Sequence, residues 1–221
     1  MNLFGIEQPS QTGFDFPQSL TEKYRPARIA DFAGLDKPKK ILTRFAANPR
    51  PIGFFFLGSA GTGKTSMALA LAREIGAEVH HMPSQTCTLA ALERTVYSCH
   101  FVPMAGCRFH MILIDEADGM SKAAQDFCLS RLDGTAPVPL TIFVFTANAH
   151  DRLEDRFMSR NLLLEFSTYG IQSDASELLQ RAWFGEGGKS TNMPNFARII
   201  KEACGNVRES LMRLETELLA A

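Results

Sequence analysis

The chain has no run of roughly eighteen apolar residues, so no segment can cross a bilayer as a helix. It has almost no net charge. Against 24 Asp and Glu stand 23 Lys and Arg, a formal −1 at pH 7, which argues against a protein that coats DNA yet permits one small basic face. It has no C-x-x-C pair, and its five cysteines (Cys87, Cys99, Cys107, Cys128, Cys204) are an odd number. Free thiols in a reducing cytosol follow, and the expected compartment is cytoplasmic. Cys107 and His110 are spaced like two zinc ligands, but no second pair accompanies them, so they read as structural filler. The His80-His81 pair likewise reads as a strand end, because no ligands of metal-site spacing flank it. The N-terminus, MNLFGIEQPSQTGFDF, lacks a basic region leading into an apolar run, so it does not read as a signal peptide. No internal repeat is evident.

What is present is globular: 45% hydrophobic and 21% charged residues over 221 positions, enough for one large domain plus a small appendage. Residues 1–19 mix Gly, Pro, Gln and Ser without periodicity and read as a flexible arm, with Leu3, Phe4, Phe14 and Phe16 available to dock on a partner. From Pro51 onward short apolar runs alternate with helical stretches. Strands are expected at 51–57, 77–82, 109–114, 140–146 and 161–166, with helices at 63–76, 89–99 and 121–132 between them. Gly76 is placed to end the first of these helices and Ser121 to cap the third. Strands apolar on both faces, separated by helices, predict an α/β fold with a parallel sheet covered on both sides. After Gly170 only helical patterns remain, at 173–184, 195–204 and 206–219. The expected organisation is therefore an arm (1–19), an α/β domain (20–169) and a small all-helical domain (170–221).

GSAGTGKTS (58–66) lies between a strand and a helix and fits G-x-x-x-x-G-K-[ST]. The glycines, Gly58, Gly61 and Gly63, let the backbone of Ser59, Ala60, Thr62 and Ser66 curl so that its N–H groups face phosphate oxygens. Lys64 is expected to reach the β- and γ-phosphates, and the Thr65 hydroxyl to ligate Mg²⁺. The helix start adds its positive dipole end. The ligands expected are thus a nucleoside triphosphate, which the resemblance given below makes ATP, and Mg²⁺.

FHMILIDEAD (109–118) is an apolar strand that delivers Asp115 and Glu116 to the carboxyl edge of the sheet, where α/β folds bind ligands. Beside a phosphate loop, Asp115 suits Mg²⁺ and Glu116 suits polarising an attacking water. LTIFVFTAN (140–148) brings Asn148 to the same edge, although Asn after a strand often only makes a turn. DRLEDRFMSRN (151–161) holds Arg152, Arg156 and Arg160 among Asp151, Glu154 and Asp155, a pattern that a plain helix end could also give.

Together these residues resemble the AAA+ ATPases, and within them the clamp-loader group, from about Leu20 to Leu219. The motifs that carry the resemblance are EKYRP (22–26), GSAGTGKT, ILIDEAD (112–118), MSKAAQ (120–125), FVFTAN (143–148), MSRN (158–161) and GNVRESL (205–211). The resemblance implies a five-stranded parallel P-loop sheet followed by a helical lid. It implies that Tyr24, Arg25 and Pro26 line the base pocket, with Ala33 and Gly34 nearby. Asn148 is then the first sensor of the γ-phosphate and Arg208 the second, on the lid. Arg160 falls on the arginine finger that enters a neighbouring subunit's site, with Arg156 as the alternate. Partners implied are other AAA+ subunits in a homo- or hetero-oligomer, DNA and a sliding clamp.

Three departures stand against the family pattern. The family's helical collar has no counterpart before the chain stops. Asn161 stands where the finger motif carries Cys. HMPSQT (81–86) replaces the asparagine-bearing segment that couples DNA binding to hydrolysis, which puts the DNA-triggered switch in doubt. Contacts to DNA phosphates, if made, are implied for the helix start at Ser121-Lys122 and for Ser84 to Thr88. Two other readings remain open at this point. One is a protein-remodelling or regulatory AAA+ module with a protein partner. The other is a nucleotide-binding scaffold without turnover, against which Lys64, Thr65, Asp115, Glu116, Arg160 and Arg208 all argue.

Overall fold

Three consecutive phenylalanines, Phe54, Phe55 and Phe56, are each fully buried, and their alternation sets the layering. They lie on β1 (Ile52–Gly58). Phe54 and Phe56 point into one apolar cluster with Leu42, Phe45, Met67 and Leu71, while Phe55 points into the opposite one with Leu92, Val96, Cys128 and Phe157. A strand sandwiched in this way has no wet face, which is why its sequence shows no polar alternation.

The computed structural model describes residues 18–104, 106–133 and 138–220. Nearly all of the expected N-terminal arm, including Leu3, Phe4, Phe14 and Phe16, lies outside the described residues. In chain order the elements begin with α1 (Leu20–Lys23), α2 (Asp36–Ala47), β1 and α3 (Lys64–Ile75). Next come β2 (Ala77–Pro83), α4 (Leu89–Ser98), β3 (Phe109–Asp115), α5 (Lys122–Leu132), β4 (Thr141–Ala147), α6 (Asp155–Met158) and β5 (Leu162–Phe166). The chain ends in α7 (Gln172–Gly185), α8 (Phe196–Glu202) and α9 (Val207–Ala220).

The five strands form one sheet in the order β2-β3-β4-β1-β5, every pair parallel. Helices α2 and α3 cover one face and α4, α5 and α6 the other. The crossover from β1 through α3 to β2 passes over β4 and β3, so a crevice opens beyond the carboxyl ends of the central strands, where such sheets take ligands.

Local chemistry accounts for the helix ends. Ser121 caps α5 by accepting from the Ala124 N–H at 3.3 Å, and Thr88 caps α4 by accepting from the Ala91 N–H at 3.2 Å. Gly76 closes α3 in the left-handed region at φ 65°. In two respects the structure differs from the sequence pattern. Helix α2 follows Leu35, which lies in the left-handed region and gives no side-chain cap, and the sequence pattern did not mark it despite Asp36 and Pro38 in its first turn. The edge strands are not buried on both faces as the central ones are: Leu162 and Leu163 of β5 are each 43% exposed, and His81 of β2 is also exposed. Each edge strand has a neighbour on one side only, and helices do not cover its outer flank.

Helices α7, α8 and α9 build a third apolar cluster around Trp183, joined by Leu20 of α1. Trp183 is 1% exposed, and its indole N–H donates to the Lys189 carbonyl at 3.1 Å. Truncating it leaves a large cavity and an unpaired carbonyl, so Trp183→Ala is expected to cost about 3–5 kcal/mol. A urea-unfolding midpoint that shifts by less than about 1 kcal/mol equivalent would reject this account of the cluster.

Candidate nucleotide-binding site

The turn after β1 is built on backbone that only glycine adopts without strain. Gly61 and Gly63 sit at φ 75° and 90°, and a β-carbon on Gly63 would meet the Phe32 ring at 3.1 Å. The Lys64 ammonium, 8% exposed, donates to the carbonyls of Gly58 (2.7 Å) and Ser59 (2.9 Å) and to Asn148 Oδ1 (3.0 Å). Burial pushes the Lys64 pKa down, and nearby Asp115 and Asp118 oppose this. Thr62 Oγ1 also donates to the Ser59 carbonyl, at 2.8 Å.

Strands β1, β4 and β3 lie side by side, so Lys64, Asn148 and Asp115 converge at one edge. Thr65 Oγ1 donates to Asp115 Oδ1 at 2.7 Å, which puts the two oxygens expected to ligate a divalent cation beside each other. The hard-oxygen donor set suits Mg²⁺. Glu116 holds a left-handed backbone conformation (φ 57°, ψ 47°), which costs about 1–3 kcal/mol in a residue with a β-carbon. Thr146 secures it. The Thr146 hydroxyl donates to Asp115 Oδ1 at 2.5 Å and accepts from the Glu116 N–H at 3.2 Å. One buried hydroxyl on β4 thus orients both acidic residues at the end of β3. His81 Nε2 approaches Asp115 Oδ2 at 3.5 Å from the other side.

Two adjoining cavities occupy this edge. The smaller, about 130 Å³, is lined by Ala60, Gly61, Gly63, Lys64, Thr65, Ser66, Asp115, Glu116, Asn148 and Arg208, among others. The larger, about 300 Å³ and more apolar, is lined by Tyr24, Arg25, Pro26, Phe32, Ala33 and Thr62 together with Leu178, Val207 and Leu211 of the helical cluster. Gly61, Gly63, Ser66 and Arg208 line both, so they form one continuous trough with a polar end and an apolar end. Gly58 and Ser59 line neither; they hold Lys64 instead. Gly34 lines neither as well and donates its N–H to Asp174 at 2.7 Å.

The segment 22–26 ties the two halves together. Arg25 Nε donates to Ser66 Oγ at 3.2 Å, while Tyr24 donates to Glu186 Oε1 at 2.8 Å and Lys23 pairs with Glu186 at 2.7 Å. Burial, with the Glu186 carboxylate second, raises the Tyr24 pKa. Asn206, just before α9, donates to the Ala60 carbonyl at 3.1 Å and so fastens the lid side to the phosphate loop. Sequence reasoning missed Thr146, Asn206 and Glu186. For Thr146 a signal existed, since a buried hydroxyl at the end of the apolar run TIFVFTA had to find a partner.

Arg160 lines neither cavity of its own chain. It lies half-exposed just beyond α6 and pairs with Asp133. Arg156 pairs with Glu154 and Asp126, while Asn161 turns inward, leaving its buried Oδ1 without a hydrogen bond. Among the described residues no helix is long and apolar enough to cross a membrane.

Residues 54–168 match the family described as "ATPase family associated with various cellular activities (AAA)". Replication factor C small subunit 1 of Pyrobaculum islandicum is 32% identical over 155 residues, covering 66% of this chain and 46% of that protein. Replication factor C small subunit of Methanoregula boonei is 28% identical over 169 residues, covering 73% and 52% respectively. The chain therefore spans about half the length of the curated relatives it matches. Among solved structures, the RuvB Holliday junction branch migration motor of Thermotoga maritima superposes with a TM-score of 0.70 at 18% identity, covering 87% of this chain and 64% of that one. At that identity the likeness is one of fold.

Proposed function

The chain belongs to the AAA family of ATPases, and from that premise we propose that it binds and hydrolyses ATP as a clamp-loader-type subunit of an oligomer acting in DNA replication or repair. The observation that carries the reading is the continuous trough: an apolar pocket for a base, a glycine-walled neck and a cationic, acid-edged pocket for phosphates. The similarity to replication factor C small subunits supports the clamp-loader assignment. The division into an α/β domain (20–169) and a lid (170–221) fits this reading, since the trough lies between them.

Phosphoryl transfer needs positioning and charge neutralisation more than covalent chemistry. In this reading the backbone N–H groups of 60–66 and the Lys64 ammonium bind the phosphates, and Lys64 exchanges its present carbonyl partners for phosphate oxygens. Thr65 and Asp115 would hold Mg²⁺, which when bound draws off the charge that gathers on the phosphate oxygens. Glu116, fixed by Thr146, orients the attacking water and accepts its proton. Asn148 positions that water, and Arg208 senses the γ-phosphate from the lid. Arg160 acts on a neighbouring subunit's site.

A cleft of about 660 Å³ adjoins the phosphate pocket through Glu116 and Asn148 and reaches Ser84, Gln85 and Arg152. The expected DNA-facing segment thus borders the acid that would activate water. Lys122, the cation at the start of α5, pairs with Glu154 at 3.2 Å and would have to exchange this partner for a DNA phosphate. A protein partner such as a sliding clamp is supported by the exposed Tyr97, Phe101, Val102 and Met104.

The deciding experiment is turnover with and without primed DNA, alongside mass measurement of the oligomer. Stimulation by DNA is the expected result, with binding that weakens steeply between roughly 50 and 200 mM salt. DNA-indifferent turnover would instead favour a protein-remodelling module.

A further inference from the structure

Away from the trough, three groups with metal-binding chemistry meet on the face of the sheet covered by α4. The ligand atoms of His80 on β2, His110 on β3 and Cys99 at the end of α4 all lie within 4.8 Å of one another. The geometry points to a site for a tetrahedral transition-metal ion, Zn²⁺ by its donor set, held by His80 Nε2, His110 Nδ1 and the Cys99 sulfur.

Four observations carry this. First, the tautomer of His110 is set correctly. His110 Nε2 lies 2.9 Å from the Phe101 carbonyl, which can only accept, so the proton is on Nε2 and Nδ1 presents a lone pair. A ring that donates its far N–H to a backbone carbonyl is the arrangement that orients metal-ligating histidines. Second, the spacing fits. His80 Nε2 and His110 Nδ1 are 3.1 Å apart. Two nitrogens at roughly 2.0–2.1 Å from a tetrahedral zinc would be about 3.3 Å apart. His80 need only carry its proton on Nδ1 for both nitrogens to face the ion.

Third, the charge balances. The Glu78 carboxylate sits 3.6 Å from His110 Nδ1 and acts electrostatically on both His80 and Cys99. With a Cys99 thiolate it brings two negative charges to a dication. Fourth, the groups are withdrawn from bulk water: His110 is 3% and Cys99 2% exposed. An ion would have to displace the Cys99 thiol proton on binding.

His110 therefore finds its partners in His80 and Cys99, and Cys107, its neighbour in sequence, is not among the cluster. The site is separate from the phosphate pocket. His110 and Asp115 are five residues apart on β3, about 16 Å of strand. Its consequence is local. The segment after α4 is fastened here at both ends, by the Phe101 carbonyl on His110 and by the Met104 N–H on Glu78 at 2.8 Å. An ion would fix the exposed Phe101, Val102 and Met104 in one arrangement for a partner. The inference does not depend on the proposed ATPase function.

The test is titration of the metal-stripped full chain with Co²⁺ under reducing conditions, followed by displacement with Zn²⁺. The expected result is a thiolate-to-cobalt charge-transfer band with the visible bands of a tetrahedral site, saturating at about one ion per chain. Zn²⁺ should abolish the bands. Cys107→Ser should retain them and Cys99→Ser should lose them. No bands in the folded native chain, or bands that persist in Cys99→Ser, would overturn the proposal. Should Cys99→Ser fail to fold by circular dichroism, His80→Ala decides. Its ring is only half-buried, and Co²⁺ binding should weaken by roughly tenfold to a hundredfold or more. Unchanged binding in that variant would equally overturn the site.

Discussion

Arg160→Ala is expected to lower ATP turnover by the assembled oligomer roughly 10³- to 10⁵-fold, about 4–7 kcal/mol of barrier. Nucleotide binding to the isolated chain should not change. The reasoning is positional. Arg160 stands just beyond a single-turn helix and before the exposed edge strand β5, outside both cavities of its own trough. Its guanidinium pairs with Asp133 on the surface. An exposed cation held by one carboxylate is free to trade it for the phosphates of an adjoining site, which is what a finger acting in trans requires. Arg156 is less available, because it is shared between Glu154 and Asp126. Mixing Arg160→Ala chains with Lys64→Ala chains gives the sharper test. Each variant alone should be nearly silent, yet some mixed interfaces pair an intact cradle with an intact finger and should recover turnover. No recovery in a confirmed mixed homo-oligomer would sink the assignment.

Glu116→Gln should lower the rate of hydrolysis by about 10²- to 10⁴-fold, the usual contribution of a positioned general base, while leaving ATP affinity close to that of the native chain. The substitution preserves size and hydrogen bonding but removes the acceptor for the water's proton. Asp115 cannot replace it. Its Oδ1 already accepts from Thr65 and Thr146. The left-handed backbone at Glu116 and its anchor on Thr146 indicate that strain is retained here to aim the side chain. Single-turnover rates and the affinity of a fluorescent nucleotide separate the two effects. Hydrolysis above a tenth of the native rate would move the base to another residue. A parallel loss of affinity would mean that Glu116 holds the ground state instead.

The proposed chemistry of the site was legible in the sequence because its main motifs are contiguous. GSAGTGKTS and IDEAD each fix their own geometry within a few residues, through glycines that permit positive φ and through an apolar strand that must end at the sheet's edge. The three central strands were legible for a related reason. A central strand buried on both faces reads as an unbroken apolar run, as in FFF and MILI. Helix α2 was not, because its N-cap position is Leu35, which offers no capping side chain.

Some features exist only in three dimensions. The order β2-β3-β4-β1-β5 sets Asn148 and Thr146 between the phosphate loop and Asp115, and no local pattern states which strands will be neighbours. Thr146 looked like one polar residue in an apolar strand until its two partners on β3 came within reach. His80, Cys99 and His110 are far apart in the chain, so their spacing carried no metal signal, and the register that pairs β2 with β3 brought them together. The sequence alone singled out the groups proposed to handle phosphate, since that chemistry rests on short-range backbone geometry. Tertiary structure alone decided which distant side chains orient them and which form a second cluster, because both depend on strand order and register, properties of the whole sheet.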